Sequence, residues 1–110
     1  GDIQRGQLGI TIETLSPEAA REKNLSAQQT GAVVTKIEAG SAAERAGAKP
    51  GDIITHLVGS PVRDATDLRN RLGGLRLGEV VDLTVIRGDQ QIVLHAILAK
   101  RPQKAAVQKR

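Results

Sequence analysis

Apolar and polar positions alternate from Leu8 to Glu13, with Leu8, Ile10 and Ile12 on one face and Gly9, Thr11 and Glu13 on the other, which predicts a strand. The same logic predicts strands in "GAVVTKI", "IITHLVG", "VVDLTVIR" and "QQIVLHAIL". Between the last two, Gly88-Asp89 is a two-residue hairpin signal. Three helices are predicted by their caps. Ser16 stands before Pro17, whose missing N–H costs nothing at a first helical position. Ser41 is followed three residues later by Glu44, a capping box, with Gly47 as a left-handed C-cap. Asp64 caps "ATDLRNRL", in which Ala65, Leu68 and Leu72 form an apolar stripe and Gly73 is the expected terminator. Pro50-Gly51 and Gly59-Ser60-Pro61 read as turns.

About five strands and three short helices, with no strand–long helix–strand alternation, imply a small, mainly antiparallel sheet that curls and is capped by helices. The expected organisation is an incoming linker over 1–7, one domain over 8–99 and a basic linker or tail over 100–110.

Composition narrows the interior. The chain has 110 residues, 39% of them apolar, and lacks Phe, Tyr, Trp, Met and Cys altogether, so Leu, Ile, Val and Ala must fill one core. Without cysteine there is no disulfide, thiolate metal site or cysteine nucleophile. No run approaches the roughly 18 apolar residues of a membrane span, and no retained signal peptide is read. The net charge of +4 arises at one end: five of the sixteen basic residues fall after Ala99, with no acid among them, so residues 1–99 carry −1. A neutral folded part with no aromatics to stack on bases argues against nucleic-acid binding.

Candidate chemistry is thin. Ser16, Ser26, Ser41 and Ser60 all stand at cap, turn or loop positions, where a local hydroxyl bond accounts for them. His56 and His95 lie in strand patterns and read as ordinary cross-strand histidines rather than a base or metal pair. Asp64 and Asp67 complement the dipole of a helix first turn. Arg87-Gly88-Asp89 is explained by the hairpin turn, and Asn24-Leu25-Ser26 is a glycosylation sequon only by pattern. No catalytic, metal or cofactor site is assigned. What remains is the opening strand, which carries no charge, proline or cover over Leu8 to Ile12 and has a glycine within it. Beside the apolar stripe of the Asp64 helix, such an edge forms a groove for an extended peptide added as a strand. Gly9 then lets the amides of Leu8, Gly9 and Ile10 turn toward one anion, a peptide's terminal carboxylate.

These residues resemble a family. "RGQLGI", "GAVVTKIEAGSAAERAGAKPGDIITHLVGSPV" and "DLRNRL" are similar to a PDZ domain of the kind attached to HtrA/DegP/DegQ-type, trypsin-like serine proteases of bacteria, from about Arg5 to Ala99. The spacing of Ser41, Ala46-Gly47, Gly51-Asp52, Ile54 and Gly59 is the specific element. The resemblance implies a mainly β (α+β), partly open five- to six-stranded antiparallel barrel capped by two helices, circularly permuted so that the groove strand comes first. It implies Leu8-Gly9-Ile10 as the carboxylate-binding loop with Arg5 nearby, and Ile10-Thr11-Ile12 as the strand that pairs with ligand. Ala65, Arg69 and Leu72 match helix positions facing the pocket, with Leu68 packed close behind. Gln7-Leu8-Gly9-Ile10 replaces the Gly-Leu-Gly-Phe of animal signalling domains, and the helix lacks their initial histidine, so their preference for Ser or Thr does not carry over. Arg69, with its stem on apolar surface and its guanidinium in water, suggests ligands that are acidic upstream of their end.

By the same resemblance the chain is the first of two such domains in a periplasmic protease whose assembly is built on trimers. It would bind extended apolar C-terminal segments of unfolded proteins with micromolar affinity, about −6 to −8 kcal/mol, and act with the protease domain of the same chain. The competing expectation is a structural module whose groove a neighbouring domain fills.

Overall fold

The computed structural model describes residues 7–99. Its helices begin where side chains satisfy the first free amides. Ser16 Oγ accepts the Ala19 N–H at 3.0 Å and opens α1 (Pro17–Glu22). Ser41 Oγ accepts the Glu44 N–H at 3.1 Å and opens α2 (Ala42–Ala46), which ends on Gly47 at φ 95°. The expected capping box is displaced by one residue: Glu44 Oε1 accepts from the Gly40 N–H at 2.7 Å, because the Ser41 N–H already donates to the Glu38 carbonyl. Asp64 Oδ1 accepts the Asp67 N–H at 2.7 Å and opens α3 (Ala65–Gly73). Gly73, expected as the terminator, lies inside that helix. The stop falls on Gly74, which keeps right-handed angles while Leu75 continues the tight turn by donating to the Leu72 carbonyl.

The strands are β1 (Ile10–Thr14), β2 (Ala32–Ile37), β3 (Ile53–Leu57), β4 (Ser60–Pro61), β5 (Val80–Arg87) and β6 (Gln90–Ile97). They form one antiparallel sheet in the order β1-β2-β3-β5-β6, with β4 paired to β3. The expected hairpin is present, Arg87 facing Gln90 across Gly88 at φ 64°. The turn read at Gly59-Ser60-Pro61 sits one residue earlier: Val58 and Gly59 take positive φ, and Ser60-Pro61 are strand. Gln7 and Ala99 exchange backbone bonds of 2.9 and 3.4 Å, so the segment ahead of β1 meets the segment after β6 and the sheet curls toward a barrel. Among the described residues the result is a mainly β, six-stranded antiparallel open fold with three helices, one more than the resemblance implies.

The interior is packed mainly with aliphatic side chains. Val34, Ile54, Val62, Leu68, Val81, Leu83, Val85 and Leu98 are buried in the main core, and Leu15, Ala20 and Ile53 form a smaller cluster under α1. Burial of each large aliphatic side chain contributes about 1.5–3 kcal/mol. One charge lies among them. Asp52 is 1% exposed and accepts from the Lys49 N–H and, at 2.8 Å each, from Arg87 Nε and Nη2. The bond to Asp52 holds the Arg87 guanidinium above its ordinary pKa against the opposing effect of burial. Arg87 also donates to the Gly47 carbonyl, so this arginine of the Arg-Gly-Asp tripeptide is committed to the fold.

Candidate functional site

Among the described residues β1 pairs only with β2, so one side of the strand is an edge. Thr11 turns its carbonyl toward β2, where Thr35 Oγ1 donates to it, whereas the Ile12 carbonyl faces α3 and is reached by Arg69. Antiparallel strands alternate in this way, so Ile10 and Ile12 present their main-chain groups to the open side.

The approach to β1 is shaped by three carbonyls. That of Gln7 accepts from Ala99, that of Leu8 from the Ala43 N–H and that of Gly9 from the Glu38 N–H. In a trans peptide the N–H points opposite to the C=O of the same unit, and no peptide bond here is cis. The amides of Leu8, Gly9 and Ile10 are therefore turned away from Ala99, α2 and β2 respectively. Among the described residues, the Leu8 and Gly9 amides donate to no backbone acceptor. Gly9 is required twice over. Its φ is 80°, and an added Cβ would lie 2.4 Å from Ser41 Cβ, so the loop closes on the cap of α2 only without a side chain.

Between this loop, β1 and α3 lies a groove of about 600 Å³. Of the residues expected from the sequence, Leu8, Gly9, Ile10, Thr11, Arg69 and Leu72 line it. Ile12 is buried but supplies its carbonyl to the edge, and Ala65 and Leu68 lie in the core beneath α3, at 3% and 0% exposure. Arg5 falls outside the described residues. Lys36 and Glu38 of the β2 side and Gly73 also line the groove and were not anticipated. The β2 alternation marks Lys36 and Glu38 as sharing a face, but only the register with β1 places that face here. Thr14 is a further unanticipated contributor: its Oγ1 accepts the Ala65 N–H at 3.0 Å and pins the start of α3 to the end of β1. A second hollow, of about 550 Å³, lies between the end of α1 and the β5–β6 turn. There the Asn24 and Leu25 amides are already spent on α1 carbonyls.

Three further polar residues weighed in the sequence have local partners. Ser26 bonds Gln28, His56 Nδ1 lies 2.9 Å from Thr55 Oγ1, and His95 Nδ1 lies 2.6 Å from Asp82 Oδ1 across the hairpin. Among the described residues no cluster of three or more His, Cys, Asp or Glu side chains could hold a metal ion, and no helix is long and apolar enough to cross a membrane.

A glycine-bent loop and a free strand edge facing a helix are the features expected from the opening motif, and the family described as PDZ domain matches residues 6–98. The chain belongs to the PDZ family. Among curated proteins, this PDZ domain is 35% identical over 105 residues to a probable periplasmic serine endoprotease, DegP-like, of Rhizobium meliloti, covering 96% of the chain and 21% of the relative. It is 37% identical over 98 residues to the periplasmic pH-dependent serine endoprotease DegQ of Escherichia coli, covering 89% of the chain and 21% of the relative. The PDZ domain thus spans about a fifth of the length of these relatives, which are periplasmic proteases.

Solved structures agree. The HtrA-type protease AlgW with a decapeptide superposes with a TM-score of 0.77 at 30% identity, covering 91% of this chain and 30% of that one. The HtrA3 PDZ domain bound to a phage-derived ligand superposes with a TM-score of 0.72 at 24% identity, covering 86% and 85%, a likeness of fold.

Proposed function

We propose that this PDZ domain is a regulatory peptide-binding module of a periplasmic HtrA/DegP-type serine endopeptidase. It takes extended, apolar C-terminal segments of unfolded proteins as an added strand on β1, and thereby tethers substrate or regulates the protease in protein quality control. The carrying observation is the set of amides at Leu8, Gly9 and Ile10 turned away from the fold at the head of a free strand edge. A carboxylate there accepts charge-assisted bonds, each contributing about 1.5–3 kcal/mol before ordering costs, while Ile10 and Ile12 supply the ladder. Leu72 and the half-buried Ile10 offer apolar surface to the ligand's last side chain. With a ligand of three to five residues the affinity is micromolar, because little area is buried against the ordering cost. Complexes of relatives with a decapeptide and a phage-derived ligand support this reading.

The test is a titration with a labelled apolar peptide bearing a free C-terminus, beside the same peptide amidated. The free acid is expected to bind at least about tenfold more tightly, or 1.4 kcal/mol. Equal binding would reject carboxylate capture in favour of internal segments. Binding of neither would reject the peptide-module reading and leave the groove to a neighbouring domain.

A further inference from the structure

Arg69 is exposed, as expected of a solvated cation, but one of its donors is engaged: its Nη2 donates to the Ile12 carbonyl at 3.2 Å. That carbonyl belongs to the open edge of β1. The geometry is built rather than incidental, since α3 is fixed to β1 by the Ala65–Thr14 bond and by the fully buried Leu68 one residue before Arg69.

Resting on the peptide-binding reading above, we propose that Arg69 is a latch on the β1 edge and that lifting it makes the groove select peptides carrying Asp or Glu third from the C-terminus. The register follows from the strand. With a terminal carboxylate at the Leu8-Gly9-Ile10 amides, an antiparallel ligand sets its last residue opposite Ile10 and the residue two earlier opposite Ile12. The N–H of that earlier residue needs the carbonyl that Arg69 holds. Once displaced, the guanidinium has lost a neutral acceptor and stands beside the side chain of the ligand residue that displaced it. A carboxylate there replaces the lost bond with a bidentate, charge-assisted one. A neutral side chain returns the guanidinium to water, and a lysine repels it.

Three other charged side chains lie close enough to be considered: Lys36 and Glu38 line the groove, and Glu13 is exposed on β1. Lys36 sits on β2, opposite Thr11, and lines the same groove. It is the rival cation for a ligand carboxylate, and Lys36→Gln decides between the two.

The experiment uses the 110-residue protein and fluorescein-labelled hexapeptides of Ala and Val with free C-termini, carrying Glu, Gln or Lys third from the end. Affinities are read by anisotropy for the unchanged protein and for Arg69→Gln, Arg69→Lys and Lys36→Gln. The Glu peptide is expected to bind about fivefold better than the Gln peptide at low salt, with the Lys peptide weakest and the spread shrinking as salt screens the pair. Arg69→Gln should bring the Glu and Gln peptides together while binding the Gln peptide as well as before or better, since nothing has to be lifted. Arg69→Lys should keep part of the preference. Equal binding of all three peptides to the unchanged protein overturns the selection, as does a preference that survives Arg69→Gln or vanishes in Lys36→Gln. Failure of every peptide to bind overturns the groove reading itself, a result distinct from either.

Discussion

At Val58 the chain holds a β-branched residue at φ 49°, 61% exposed, beside Gly59 at φ 79°. Left-handed backbone costs a residue with a Cβ roughly 1–2 kcal/mol, and a two-residue turn with two positive φ values favours Asn-Gly. Val58→Asn should therefore raise stability by about 1 kcal/mol, read as a higher urea midpoint with an unchanged slope. A lower midpoint would mean that the valine side chain contributes packing that outweighs the strain. Gly9 shows the opposite solution to the same problem, because there the side chain has been removed altogether and Ser41 fills the space.

Elements were the most legible scale, because their signals are local. Ser16, Ser41 and Asp64 cap helices as their positions dictate, and Gly88-Asp89 closes the hairpin. The failures were of two kinds. The stop of α3 and the turn after Leu57 were misplaced by a residue, the first because Gly73 and Gly74 compete for one stop, the second because a β-branched residue, Val58, takes a positive φ that its side chain does not signal. Lys36 and Glu38 at the groove, the bond from Ala65 to Thr14 and the bond from Arg69 to Ile12 depend on which elements lie beside which, and no local pattern carries that. α3 also carries a testable electrostatic device. Asp67 accepts the Arg63 N–H at 2.9 Å, and that bond, opposed by burial and assisted by the charges of Arg71 and Arg63, holds its carboxyl below the ordinary 3.8. A group depressed in the folded state stabilises above its unfolded pKa and loses that contribution as pH falls through its folded value. Unfolding measured from pH 6 to pH 2 should thus show a steeper loss below about pH 4 in the unchanged protein than in Asp67→Asn. Coincident acid limbs would show that Asp67 titrates alike folded and unfolded.

The whole molecule is tied across its middle by Asp52 and Arg87, which join the Lys49–Asp52 turn, the end of α2 and the end of β5. Removing one partner leaves an unpaired buried charge, so Arg87→Ala should destabilise the protein by about 3–5 kcal/mol. Denaturant unfolding reads this directly, and a loss below about 1 kcal/mol would class the pair with solvent-screened bridges. At the opposite extreme of strength is the bond pair between Gln7 and Ala99. It makes neighbours of the two points at which the chain enters and leaves the described fold. A pull on the chain from both sides therefore does not stretch the domain lengthwise; it peels this bridge apart like the first teeth of a zip. The next residue along is Leu8, which lines the groove and is at the same time buried in the main core. Mechanical tension carried by the polypeptide thus reaches the groove and the core at one residue.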